Sequence, residues 1–178
     1  MFLAVLLASL SLHVHPSEID SLLRELDMSI RNRPQYTLKR QEQIDALQRK
    51  LRLSHSDQER YDLYRELFGK YRSYRMDSAL WVANQRVELA KRMKNSLYIR
   101  SAELNIAEVM IGVAMYKEGL EILDGIKSAD LDASGVSYYY YQYHQVYTLM
   151  ADYAFSDQMK EHYRGLAYQY KDSIISMR

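Results

Sequence analysis

Tyr116-Lys117-Glu118-Gly119-Leu120-Glu121-Ile122-Leu123 is the stretch that decides the fold. An aromatic stands three residues before a glycine, and Leu120, Ile122, Leu123 and Ile126 give the segment a helical apolar face. A small residue at Gly119 lets this helix approach its predecessor closely. Ala107, twelve residues earlier, is a second small residue, on the preceding helix. The theme recurs upstream: Asp77-Ser78-Ala79-Leu80-Trp81-Val82-Ala83 again sets a small residue, a leucine and a second small residue at helical spacing. A repeated unit of two close helices is thereby predicted, with Ala79 and Gly119 lying 40 residues apart.

Outward from this unit, apolar residues recur at helical spacing from Ser17 onward. A first helix carries Ile19, Leu22, Leu23, Leu26 and Ile30, and Pro34 is expected to end it. A second carries Ile44, Leu47 and Leu51 and closes near Ser54-His55. Ser56-Asp57-Gln58-Glu59 reads as a capping box that opens a third, with Tyr64, Leu67, Phe68, Tyr71 and Tyr74. The fourth presents Ala79, Leu80, Ala83, Val87 and Ala90; the fifth, after Lys94-Asn95-Ser96, presents Ile99, Ala102, Ile106, Met110 and Val113. The short sixth is the opening segment, and Ser128 to Gly135 is the longest expected loop. A seventh helix runs through Tyr139, Tyr143, Val146, Met150 and Tyr153. An eighth, after Ser156-Asp157, shows Met159, Tyr163, Leu166, Tyr170 and Ile174. No useful stretch alternates with period two, so no sheet is expected.

The composition agrees. Six glycines and two prolines in 178 residues are too few for the turns of a β-sandwich or a doubly wound sheet. A net charge of +1 gives no general reason to expect an acidic partner. The lack of cysteine excludes disulfides, thiolate metal sites and cysteine nucleophiles. Residues 2–12 form an apolar run too short for a bilayer span, which takes about 20 residues, but of the length of a secretory h-region. No Lys or Arg precedes it. The expectation is a signal peptide over 1–16 and a helical domain over 17–178, exported or periplasmic. The alternative is a soluble intracellular adaptor in which residues 2–12 pack as a helix.

The hairpin segments resemble tetratricopeptide repeats. That likeness implies an all-α, right-handed solenoid of antiparallel helical hairpins with about eight helices. A more particular resemblance rests on Ser17-Glu18-Ile19-Asp20-Ser21-Leu22-Leu23, Tyr71-Arg72-Ser73-Tyr74-Arg75-Met76-Asp77-Ser78-Ala79-Leu80 and Leu149-Met150-Ala151-Asp152-Tyr153-Ala154. Through these the chain is similar to the tetratricopeptide-like N-terminal regions of Bacteroidetes-type transmembrane regulators with a helix-turn-helix output. The resemblance implies a periplasmic sensory or protein-interaction module, tethered to the membrane in the full-length protein. The chain stops mid-pattern at Ser173-Ile174-Ile175-Ser176-Met177-Arg178, as expected of a truncated version.

Tyrosine is the compositional outlier, with 17 residues and four in succession at Tyr138-Tyr139-Tyr140-Tyr141. Tyrosine combines a large apolar body with a polar tip, so it serves helix packing and partner recognition alike. Most are expected to fill space between hairpins. If a peptide groove exists, the first helix of each hairpin should line it, and the candidate partner-binding residues are Tyr61, Tyr64, Tyr71, Arg72, Glu108, Tyr140, His144 and Tyr147. No catalytic residue, cofactor or metal is expected, because the five histidines form no His-Glu-x-x-His pattern. Acid pairs such as Glu118 and Glu121 have the spacing of a solvated helix face. The basic segment from Arg31 to Arg52 reads as a solvated face too, with no direct nucleic-acid contact expected.

Overall fold

The computed structural model of the chain describes residues 16–176. They form seven α-helices: α1 (Pro16–Leu53), α2 (Asp57–Tyr71), α3 (Met76–Arg92), α4 (Ser96–Gly112), α5 (Tyr116–Asp124), α6 (Ala133–Asp152) and α7 (Asp157–Ile175), with a 3-10 turn at Ser128–Asp130. No strand occurs among the described residues. The segment expected as a signal peptide, residues 1–16, lies outside them apart from Pro16, the first residue of α1.

The chain divides between Gln43 and Ile44 into two units. In the first, residues 18–43 are exposed throughout, including Ile19, Leu22, Leu23, Leu26 and Ile30, the face expected to be buried. Here the expected pair of helices is one, so the fold has seven helices among the described residues rather than eight. Pro34 lies inside α1 instead of ending it. Proline removes the N–H that would serve the Ile30 carbonyl, at about 3 kcal/mol in a helix interior. Exposure lets water take that carbonyl, no glycine flanks the proline to make a turn, and Thr37 Oγ1 donates to the Arg33 carbonyl at 3.0 Å. One breaker with no glycine beside it does not stop this exposed helix.

In the second unit, the end of α1 contributes Ile44 and Leu47 to a core with Leu63, Leu67, Phe68 and Tyr71 of α2 and Ala79, Val82 and Ala83 of α3. The helices that follow pair as hairpins α2–α3, α4–α5 and α6–α7. Their starts are set by side chains that accept orphan backbone N–H groups. Ser56 takes Glu59 N at 3.1 Å, Asn95 takes Tyr98 N at 3.1 Å, Asp132 takes Gly135 N at 2.7 Å, and Ser156 takes Met159 N at 3.2 Å. At Ser56 the Glu59 carboxylate accepts from Ser54 Oγ at 2.9 Å, which ties the new helix to the end of α1.

The turns after α3 and α4 share one geometry. Lys94 and Ala114 have φ of 53° and 64°, the left-handed conformation in which helices commonly stop. In each turn the following amide reaches back to the last helical turn: Asn95 N bonds the Ala90 carbonyl at 3.1 Å, and Met115 N bonds that of Met110 at 2.8 Å. Neither position is a glycine, so each carries a steric cost of roughly 1–2 kcal/mol.

Gly119 plays the part its sequence context assigns. A Cβ there would stand 2.8 Å from Ile111 Cγ1 and 3.6 Å from the Ala107 carbonyl, so only glycine permits the α4–α5 approach. Ala107 is fully buried beneath it. α4 is covered on several sides: Val109 joins the core with α2 and α3, Ala102 packs with Tyr61, Val87 and Ala90, and Leu104, Ala107 and Ile111 pack with Leu123, Tyr143 and Val146.

These contacts set up a contrast measurable by chemical denaturation. Gly119→Ala should lose about 1–2 kcal/mol, since overpacking against Ile111 exceeds the gain in helix propensity. Gly69→Ala and Gly165→Ala, where an added Cβ meets nothing within 4 Å, should each gain about 1 kcal/mol. Ala114→Gly should raise the midpoint, by roughly 0.5–1 kcal/mol, through relief of the left-handed turn.

Candidate functional site: a groove along the first helices

α2, α4 and the first turns of α6 line a cavity of about 450 Å³. Helical spacing brings the lining residues of each element onto one face. Tyr61, Asp62, Arg65, Gly69 and Arg72 come from α2, Tyr98, Ser101 and Asn105 from α4, and Ser134, Gly135 and Tyr138 from α6, with Asp132 capping it. Arg86 reaches the same cavity from α3, between the two hairpins.

A continuous polar relay runs across the groove. Arg72 Nη1 stands 2.9 Å from Glu108 Oε1, and the Tyr138 hydroxyl donates to Glu108 Oε2. Asn105 Nδ2 donates to the Tyr138 hydroxyl at 3.4 Å, and Arg86 Nη1 donates to Asn105 Oδ1. The Arg86 guanidinium lies 4.3 Å over the Tyr61 ring, a cation–π contact. Tyr61 stacks on Tyr98 at 4.5 Å and donates its hydroxyl to the Tyr98 carbonyl at 2.9 Å. Burial raises the Tyr61 pKa, and burial with the adjacent Glu108 carboxylate pushes that of Tyr138 well above the ordinary phenol range. The Glu108 partnership raises the Arg72 pKa. Asp132 is held below the usual carboxylate range by the Gly135 amide and the Ser134 hydroxyl. These groups hold and orient hydrogen bonds; Asp62, Glu108 and Asp132 are each already engaged by a donor.

The eight candidate residues separate by location. Tyr61 and Arg72 line the groove, and Glu108 joins Arg72 in an adjoining cavity of about 150 Å³. Tyr71 is buried, accepts from Gln48 Nε2 at 3.2 Å, and lines a different, more apolar cavity of about 580 Å³ with Leu51, Trp81 and Val82. Tyr64 packs edge-on against Trp81 at 5.7 Å. Tyr140, His144 and Tyr147 face α7. Tyr140 lies 6.1 Å from Tyr170, Tyr147 lies 5.8 Å from Tyr170 and 6.4 Å from Tyr163, and His144 Nδ1 is 3.0 Å from the Ala167 carbonyl. With Tyr143 stacked on Tyr170 at 4.4 Å, these rings form the α6–α7 interface. No three histidine, aspartate or glutamate side chains converge as a metal-ligand set among the described residues.

Arg86, Asn105 and Tyr138 are groove residues that sequence reasoning did not single out. A signal existed for the first. Arg86 interrupts the buried stripe of Ala79, Val82, Ala83 and Ala90, where an apolar residue fits the period.

Two tyrosines make a titration test. Burial and the hydrogen bond to Asp124, 2.6 Å away, raise Tyr143 far above a free phenol, as burial and Glu108 do for Tyr138. A raised folded pKa here means that the neutral phenol is favoured in the native state. Its stabilising effect is complete below the unfolded value of about 10 and is lost as pH rises further. In a spectrophotometric titration these two phenols should stay un-ionised until the helical circular dichroism collapses, and Tyr138→Phe should shallow the alkaline loss of stability. Ionisation of both with the helices intact would contradict this.

The comparisons with known proteins bear on the same architecture. No curated protein and no solved structure matches the chain. The model of the SusR N-terminal TPR domain matches residues 30–178, the greater part of its length. With its stacked hairpins, close Gly119 contact and groove along the first helices, the chain belongs to the SusR N-terminal TPR domain family, a domain type suited to protein–protein interaction.

Proposed function

We propose that this chain is the exported sensory part of a membrane-linked transcriptional regulator, and that the groove along α2, α4 and α6 takes a segment of a protein or peptide. One observation carries the binding half. Polar and aromatic side chains from three successive hairpins converge on one open cavity, linked from Arg72 to Tyr61 by hydrogen bonds and ring contacts. An extended ligand laid across the hairpins meets hydrogen-bonding groups and aromatic faces at each step. The export half draws on the apolar run of residues 2–12 and on the family to which the chain belongs. No described helix is long and apolar enough to cross a membrane; the membrane link is part of the proposal and draws on the family to which the chain belongs. The partner is a protein or peptide, and the DNA-binding output is not part of this region.

Export is tested by fusing alkaline phosphatase after Arg178, with the native N-terminus kept. Active phosphatase outside the cytoplasm is the expected result, and a full-length, inactive, cytoplasmic fusion would sink it. Groove binding is tested by Ser101→Trp, which fills the cavity at its half-buried edge. A photo-reactive side chain at Arg65 should capture a partner in the otherwise wild-type chain and lose it in the Ser101→Trp background, while circular dichroism stays unchanged. Capture that survives the filled groove would place the partner elsewhere.

A further inference from the structure

Arg86 is 2% exposed, yet no carboxylate among the described residues stands within ion-pair distance of it. Its Nε has no hydrogen-bond partner. The acids nearby are committed elsewhere: Asp62 is held by Arg65 at 3.3 Å, Glu108 by Arg72 and Tyr138, and Asp132 by the α6 cap. With Arg65 and Arg72 each in an ion pair, Arg86 is the cation lining this cavity that has no carboxylate paired with it among the described residues. Burying a charge without a counter-charge costs several kcal/mol. Burial lowers the Arg86 pKa, but a guanidinium stays protonated at any ordinary pH.

From this geometry we propose that Arg86 receives the carboxylate of a peptide segment lying in the groove, the edge of the guanidinium that carries Nε forming the unmade half of an ion pair. This rests on the groove reading given above and names the chemistry of its ligand. A single guanidinium edge is unpaired and the Asp132 carboxylate lines the same cavity, so a singly charged carboxylate is repelled less there than a dianionic phosphate. A guanidinium edge also grips a carboxylate through two parallel N–H bonds. Tyr98, half-buried and stacked on Tyr61, lines the same cavity and can meet the aliphatic stem of an acidic side chain. The hydroxyls of Ser101 and Ser134 line the same cavity and can serve the flanking peptide groups.

The test uses the full chain and four pools of capped hexapeptide amides, each random except for one fixed residue: glutamate, glutamine, phosphoserine or alanine. Binding is read by fluorescence anisotropy, and the Arg86 Nε–Hε resonance by NMR. The glutamate pool should bind about tenfold or more tightly than the glutamine pool, the difference made by a charge-assisted bond, and only the glutamate pool should shift the Arg86 resonance. Arg86→Met should erase that preference, so that the glutamate and glutamine pools bind alike whatever the change does to the binding of either.

Equal binding of glutamate and glutamine pools would overturn the inference and leave the groove reading intact. Failure of every pool to bind would overturn both. A preference for phosphoserine over glutamate would overturn the choice of a carboxylate, and N-acetylglutamate amide binding as tightly as the pool would overturn the peptide as its source. Should Arg86→Met fail to fold, the wild-type NMR shift with glutamate, and none with glutamine, still decides the matter.

Discussion

Everything in the second unit leans on the burial of α4. A helix flanked by neighbours on several sides has little face left for charge, and α4 buries Ala102, Leu104, Ala107, Val109 and Ile111, each at most 3% exposed. Burying a side chain such as Leu104 or Ile111 stabilises by roughly 1.5–3 kcal/mol. The alanines act differently: by adding little bulk they let α3 and α5 come close enough to share those contacts. Gly119 is the limiting case, at a spot where even a methyl group meets Ile111. Because the same helix carries Asn105 and Glu108 on its groove side, the packing that holds the array also fixes the spacing of the polar relay.

What the sequence revealed followed from local physics. The apolar period placed α2 to α7, Ser56-Asp57-Gln58-Glu59 marked the start of α2, and Gly119 marked a close hairpin. Two features resisted. Pro34 carries a strong local signal, yet α1 continues through it because water can serve an exposed carbonyl and no glycine beside it offers another path. The buried face of α4 also widened: of the expected Ile99, Ala102, Ile106, Met110 and Val113, Ala102 is buried, Ile99, Ile106 and Met110 are half-buried and Val113 is exposed, while Leu104, Ala107, Val109 and Ile111 are buried as well. A single stripe describes a helix that packs against one neighbour, and α4 packs against several. The groove was legible as a location, through the first helices of the hairpins, but not as chemistry. Relays such as Arg72–Glu108 and Arg86–Asn105 join residues 36 and 19 apart, and no spacing rule connects them.

The tyrosines show how one residue type divides its duties. In α6 and α7, Tyr139, Tyr143, Tyr147, Tyr163 and Tyr170 lie ring to ring, with Tyr143 anchored through its hydroxyl to Asp124 of α5. Tyr61 and Tyr138 instead present their polar tips to the groove network. Tyr143 apart, a phenylalanine would serve the first set nearly as well as tyrosine and the second set hardly at all, since a buried relay with one member missing leaves its neighbours unsatisfied.

The stacked rings have an optical consequence. The chain has a single tryptophan, Trp81, which sits in α3 beside Tyr64, while the ring ladder of α6 and α7 is tyrosine alone. The two ends of the array therefore carry different chromophores without any label. Emission excited at the red edge reads the α2–α3 hairpin, and the near-ultraviolet dichroism of coupled phenol rings reads the α6–α7 hairpin. Whether the array melts as one piece or hairpin by hairpin is written in the coincidence or separation of those two signals.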